Sequence, residues 1–119
     1  MHDELAVCRL NESDGLSAWA WDGGFVSITR AHGELSVICA ASGVPDHVRA
    51  ERGWRALRVT TAMDFSVTGV AASITAPLAD AGVSVLPVAT HDTDYFLVKQ
   101  ERLADAIGAL LGAGHSVVA

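Results

Sequence analysis

The stretch TAMDFSVTGVAASITAPLADAGVSVL, residues 61–86, decides the fold because it predicts a helix that leads into an apolar strand. Residues 65–79 contain no charged side chain. A surface helix of a globular protein normally presents one charged face to water. We therefore expect this helix to be covered on both sides, once by its own sheet and once by a second layer of protein, which is either a neighbouring unit or the first half of the same chain.

The two sides of the predicted helix differ in composition. One side is a stripe at helical spacing, suited to packing on a sheet. The other side is small and uncharged, so another backbone can approach it closely. Pro77 lies inside the helix, where it removes the hydrogen bond to Ser73 and predicts a kink. The stripe comprises Val70, Ile74, Leu78 and Ala81, and the small side comprises Ala71, Ala72, Thr75 and Ala79.

The remaining segments predict strands joined by turns, with one more helix. The runs FVSITR and ELSVICA alternate and are joined by AHG, which predicts a hairpin with Leu35, Val37 and Cys39 on one face. The polar segment 41–53 predicts a turn of helix after Pro45. Further strands are predicted at residues 5–10, 54–60, 82–90, 95–100 and 116–118.

One strand and one helix in the second half carry more detailed predictions. The strand at residues 82–90 is almost entirely apolar, so both of its faces are expected to be covered, while Pro87 indicates an edge position or a bulge. Residues 101–115 predict an amphipathic helix that ends at Gly112 or Gly114. Its stripe comprises Leu103, Ile107, Leu110 and Leu111.

The chain contains two versions of one pattern. A shift of sixty residues places Leu35 over Tyr95 and Val37 over Leu97. From residue 54 the order is strand, helix, strand, strand, helix, strand. We predict two units of about sixty residues, a degenerate one at 1–53 and a complete one at 54–119.

Composition excludes several classes of function. The net charge is −6 and the bases are scattered, which argues against nucleic-acid binding. No segment is long and apolar enough for a bilayer, and the start lacks a signal-peptide pattern, so we expect a cytoplasmic protein without a membrane partner. Cys8 and Cys39 lie in apolar runs and are expected to be reduced and buried, with a disulfide as the minor alternative.

The second half resembles an ACT domain, the small regulatory module of amino-acid metabolism. The resemblance rests on WRALRV, on DFSVTGVAASITAPLADAGVSVL and on ATHDTDYFLVKQERLADAIGALLGAGH. With FVSITRAHGELSVICA, nearly the whole chain is similar to paired-ACT proteins, among them the Castor arginine sensors and the regulatory part of aspartokinases. The resemblance implies an α+β fold, a ferredoxin-like βαββαβ sandwich with two tandem units, and an amino-acid effector held where two units meet.

The first turn of the predicted helix is where an effector would bind. Helix N-termini present unpaired N–H groups and a partial positive charge, so they attract carboxylates. Gly69 matches the glycine that ACT domains carry here. We expect the backbone at Thr68, Gly69 and Val70 to receive a carboxylate. The full expected site comprises Asp64, Ser66, Thr68, Gly69, Val70, Asp92, Thr93 and Asp94, with Asp64 or Asp92 facing the effector's ammonium group.

Plainer interpretations of the same residues stay open. Asp64, Ser66 and Thr68 can be helix caps, and the HDTD segment can be an ordinary turn. His91 with Asp92 and Asp94 lacks the three or four converging ligands of a zinc site, and no cofactor motif is present. The sequence favours a homodimeric regulatory protein that is not an enzyme and signals through assembly or a protein partner. The alternative is an assembly module without a ligand.

Overall fold

Strand β4 (Arg49–Thr61) divides between two units of the fold, the first extending to Trp54 and the second starting at Arg55. The computed structural model describes residues 3–61 and 67–119. The first part of β4 pairs with a strand of the first unit, and its last four residues pair with a strand of the second.

The first unit is a sheet whose strands follow the order β2-β3-β1-β4. Each of the pairs β2–β3, β3–β1 and β1–β4 is antiparallel. Its other strands are β1 (Leu5–Asn11), β2 (Ser27–Ala31) and β3 (Glu34–Ala40), and its connections contain 3₁₀ turns at Glu12–Asp14, Ala18–Trp21 and Ala41–Gly43.

The hairpin between β2 and β3 is confirmed, with a two-residue connection. His32 and Gly33 both have positive φ, 54° and 75°, which is the conformation of a type I′ turn and matches the right-handed twist of the strands it joins. Leu35, Val37 and Cys39 are buried on the core side of β3, as their alternation predicts.

The second unit has the βαββαβ order that the sequence predicts, in an ACT-type α+β fold with two helices. Its strands follow the order β5-β6-β4-β7, which is the same arrangement of strands as in the first unit. The elements after β4 are α1 (Val67–Asp80), β5 (Leu86–Ala89), β6 (Asp94–Lys99), α2 (Leu103–Gly112) and β7 (His115–Val118).

Both helices contribute to one core in the second unit. The predicted stripe of α1 is confirmed at Ile74 and Leu78, which are 1% and 0% exposed, whereas Ala81 is exposed. Burying an aliphatic side chain of this size contributes about 1.5–3 kcal/mol relative to leaving it in water. The fully buried members of this core are Leu57, Ile74, Leu78, Phe96, Val98, Ala106 and Leu110.

Three predictions about local structure are wrong. After Pro45 the structure has a single turn, closed by the Val48 amide donating to the Pro45 carbonyl oxygen at 3.1 Å, and no helix continues to Gly53, because residues 49–54 belong to β4. From that strand, Arg52 donates to the carbonyl oxygens of Ala41 (2.9 Å) and Val44 (3.0 Å). Strand β5 is not covered on both faces, because Pro87 and Ala89 are exposed while Leu86 and Val88 are half-buried. It ends the strand order, in keeping with the edge position that proline indicates.

The third correction concerns α2, where Leu111 is 55% exposed while Leu110 is fully buried. Adjacent helical residues point about 100° apart, so both cannot lie at the centre of one stripe.

In the part of the chain that the structure describes, no helix combines the length and apolar character that crossing a bilayer requires.

Candidate functional site

A groove of about 290 Å³ opens between α1, β5 and β6 in the second unit. Its walls are mainly apolar, which suits the body of a small organic ligand. Among the described lining residues, Ala71 lies nearest to the start of α1, in the second turn of that helix. The lining residues are Ala71, Thr75, Pro87, Val88, Ala89, Asp94, Tyr95 and Phe96.

Asp94 supplies the charge of this groove. Among the described lining residues it is the one with a charged side chain, it is exposed, and it starts β6 opposite Ala89. Tyr95 is half-buried and lies opposite Val88 in the same register. The sequence pointed to Asp94 but not to Tyr95 or to the β5 residues. Which residues of β5 and β6 lie side by side in the groove depends on the register of the two strands, and local sequence patterns do not give that register.

Some of the residues predicted at the start of the helix lie in α1, and others fall outside the described residues. Gly69 and Val70 are half-buried in the first turns of α1, and the Val70 side chain packs against the core, so at that position the main chain is what a ligand can reach. Thr68 also lies in α1. Asp64 and Ser66 fall outside the described residues.

The predicted HDTD segment is a polar turn held by its own contacts. The Thr90 amide and hydroxyl donate to the Thr93 carbonyl oxygen at 2.8 Å and 3.0 Å, and the Thr93 amide donates to the Thr90 hydroxyl at 3.1 Å. The Asp92 carboxylate lies 2.6 Å from His91 Nδ1, with both side chains almost fully exposed. Asp92 and Thr93 are therefore engaged within the turn, whereas Asp94 lines the groove.

The Ser73 and Thr75 hydroxyl groups of α1 are satisfied within the helix. Thr75 Oγ1 donates to the Ala71 carbonyl oxygen at 3.0 Å, and Ser73 Oγ donates to the Val70 carbonyl oxygen at 2.7 Å. Thr75 thus presents its methyl group, rather than an unpaired hydroxyl, as a wall of the groove.

The small side of α1 is open to solvent in the single chain. Ala71, Ala72 and Ala79 are exposed and Thr75 is half-buried. The expectation that this side is covered is therefore not met by the chain itself.

The described histidines do not belong to a metal-binding cluster. Within residues 3–61 and 67–119, no group of three His, Cys, Asp or Glu side chains is placed to hold a metal ion. The His91 cluster is an exposed turn, in line with its plainer interpretation. His115, by contrast, is buried, and its Nε2 lies 2.8 Å from the Ser73 carbonyl oxygen.

Comparison with known families agrees with this architecture. Residues 49–111 match the ACT domain family, which is more than half of the chain, and the protein belongs to that family. Residues 3–47 match a second family, described as an N-terminal domain. ACT domains are commonly regulatory, ligand-binding domains, and this is the class of protein that fold and family define.

Solved structures of related chains span both units. A protein of Agobacterium tumefaciens is 36% identical, with a TM-score of 0.85 over 94% of this chain and 84% of that one. A Vibrio cholerae protein of unknown function, described as a possible transport protein, is 19% identical, with a TM-score of 0.75 over 96% of this chain and 86% of that one.

An aspartate kinase of Clostridium acetobutylicum, described as an allosteric enzyme, shares the fold. It is 11% identical, with a TM-score of 0.67, and the match covers 93% of this chain but 33% of the kinase. The likeness thus concerns one third of that enzyme.

Proposed function

We propose that this protein is a regulatory ACT protein that binds an amino acid in the groove between α1, β5 and β6, at an interface between two copies of the chain. The supporting observation is the groove itself, where an apolar wall and the Asp94 carboxylate lie beside α1. A small zwitterion with a side chain can place that side chain on an apolar wall and its ammonium group beside a carboxylate.

The two charges of an amino acid have different partners in this site. The start of α1 attracts the carboxylate because the aligned peptide dipoles of a helix give its N-terminus a partial positive charge. Asp94 faces the ammonium group, and the methyl and ring surfaces of Val88 and Tyr95 contact the side chain.

A second copy of the chain provides the layer that the helix lacks. The alanine side of α1 is exposed, and β5 pairs with β6 alone among the described strands, so one of its edges carries unpaired backbone groups. Both features border the groove. Closing this surface in a dimer would enclose the effector and couple binding to assembly.

The first unit is proposed to be a degenerate ACT-like unit. Its strand order repeats that of the second unit, and the strands β3 and β6 start sixty residues apart, at Glu34 and Asp94. Short 3₁₀ turns occupy the positions in the chain at which a complete unit has its helices. We expect no amino-acid site of the α1 type in this unit.

Thermal-shift screening with the twenty amino acids tests this function, followed by calorimetry on those that respond. Ala71→Arg places a long side chain in the groove and should abolish the response. Ala76→Arg is the matched control, because Ala76 is an exposed alanine of the same helix that does not line the groove. Asp94→Asn should weaken binding at least tenfold, whereas Asp92→Asn, which changes the charge of the adjoining turn, should leave it nearly unchanged.

Amino-acid binding and the oligomeric state, measured by light scattering, together separate the regulatory function from its alternative. Amino-acid binding that is lost in Ala71→Arg and retained in Ala76→Arg supports the regulatory function. A firm dimer with no response to any amino acid supports the alternative, an assembly module without a ligand, for which the open alanine side and the β5 edge are sufficient.

A further inference from the structure

Two arginines lie directly opposite each other in the sheet of the first unit. Arg9 on β1 and Arg49 on β4 are register partners, and both side chains are exposed. Like charges directly opposite on neighbouring strands are destabilising. Residues 3–54 contain eight Asp and Glu against four Arg, so this arrangement does not reflect a shortage of carboxylates.

The arginine pair borders a cavity of about 480 Å³. Its apolar surface comes from Leu10, Trp19 and Val48, which are half-buried and pack against the core of the first unit. Its polar rim is formed by Arg9, Asn11, Asp14, Ser17, His47 and Arg49. We call this cavity the arginine pocket.

Paired guanidinium groups are suited to binding carboxylate and phosphate groups. Each is a planar fork of five N–H donors that fits a carboxylate or a phosphate in a bidentate manner. Arg9 donates one N–H to the carbonyl oxygen of Leu10, a residue that also lines the cavity. An anion between Arg9 and Arg49 would convert their mutual repulsion into two attractive contacts.

The surrounding charges limit the ligand to a single anionic group. Among the described lining residues, Arg9 and Arg49 carry two positive charges and Asp14 carries one negative charge, whereas Glu51, two residues after Arg49 on β4, does not line the pocket. Without His47, the lining therefore has a net charge of +1, which one anionic group of a ligand offsets. Trp19 adds a large apolar surface for a ring or an aliphatic body.

We propose that the arginine pocket binds a small organic anion, with a carboxylate or phosphate group between Arg9 and Arg49 and an apolar body against Trp19. This site lies within the first unit and is independent of the groove in the second. With this site, the protein has one proposed ligand site in each of its two units.

Calorimetry at low ionic strength with two probe series tests this proposal. Phenyl phosphate and inorganic phosphate form one series, and phenylacetate and acetate form the other. Saturable binding is expected in one series, tighter for the phenyl compound because of Trp19. The series that binds identifies the anionic group. Arg49→Gln should reduce the affinity at least tenfold. Arg58→Gln makes the same charge change at an exposed strand position outside the pocket and should leave it unchanged.

A stability measurement supplies a second readout. Arg49→Glu replaces a repulsive cross-strand pair with an attractive one, so it should raise the Tm of the ligand-free protein at low salt while abolishing anion binding. Absence of saturable binding in both series, or equal binding by Arg49→Gln and Arg58→Gln, would overturn the proposal. So would a lower Tm of Arg49→Glu in a protein that remains folded.

Discussion

His115 on β7 donates a hydrogen bond from Nε2 to the Ser73 carbonyl oxygen of α1, across 2.8 Å. Pro77 lies four residues after Ser73 and has no N–H to give to that carbonyl group. A carbonyl oxygen only accepts, so Nε2 carries the proton. A side chain from the last strand therefore replaces the helical hydrogen bond that the proline removes, which explains how α1 continues through Pro77 to Asp80.

This relationship predicts a coupling between His115 and Pro77. His115→Ala should lower the free energy of unfolding by about 1–3 kcal/mol, because the Ser73 carbonyl group loses its donor in a buried setting. In a Pro77→Ala background the new backbone N–H can serve Ser73, so the loss should be smaller by about 1 kcal/mol or more. A double-mutant cycle by chemical denaturation measures this.

His115→Gln is the matched control for that cycle, because its amide can still donate to Ser73. It should lose less stability than His115→Ala. Strict additivity of His115→Ala and Pro77→Ala would contradict the interpretation of the hydrogen bond.

Adjacent leucines of α2 predict opposite outcomes for one substitution. Leu110 is fully buried and Leu111 is 55% exposed. Leu110→Ala should cost about 2–5 kcal/mol of unfolding free energy, through lost burial and a cavity. Leu111→Ala should change the same quantity by about 0.5 kcal/mol or less. Urea denaturation of dilute protein compares them, and equal losses would show that the helix is rotated from its described orientation.

The two cysteines predict a pH-dependent reactivity. Cys8 and Cys39 are buried on neighbouring strands as free thiols. Burial, with the nearby Cys39 thiol, raises the pKa of Cys8 from 9.0 to about 11, and burial also raises the pKa of Cys39. Alkylation by iodoacetamide should therefore be negligible in the native protein near pH 8 and become rapid on unfolding. Rapid labelling of both thiols at pH 8 without denaturant would refute this.

The same shift has a consequence for stability. The folded state holds the Cys8 proton more tightly than the unfolded chain, so this contribution to stability is complete below pH 9 and is lost as the pH rises toward 11. Its size is on the order of 2 kcal/mol. Cys8→Ala should show a smaller loss of stability over this interval than the wild-type protein, by denaturation at each pH. An identical loss in both would contradict it.

Patterns that depend on local spacing were predictable from the sequence. Ile74 and Leu78 recur at helical spacing and are buried, and the alternation of Leu35, Val37 and Cys39 gives the core face of β3. Pro87 indicated the edge position of β5 because proline cannot donate to a sheet hydrogen bond.

Contacts between distant residues were not predictable in this way. The opposition of Arg9 and Arg49 depends on the register of β1 against β4, and the bond from His115 to Ser73 joins residues forty-two apart. The turn of helix expected after Pro45 does not extend to Gly53, because residues 49–54 belong to β4, and Arg52 donates from that strand to carbonyl groups of the 41–44 turn. Single-sequence periodicity carries no information about such partners.

The central claim is that an amino acid binds in the groove between α1, β5 and β6, and an amide-resolved NMR titration tests it most directly. With the amino acid that gives the largest thermal shift, the amide signals of Gly69–Ala71 and of Val88–Tyr95 should move in a saturable manner, and those of β2 should not. Ala71→Arg should abolish these changes, and Ala76→Arg should retain them. Absence of saturable changes at the groove for all twenty amino acids would contradict the claim.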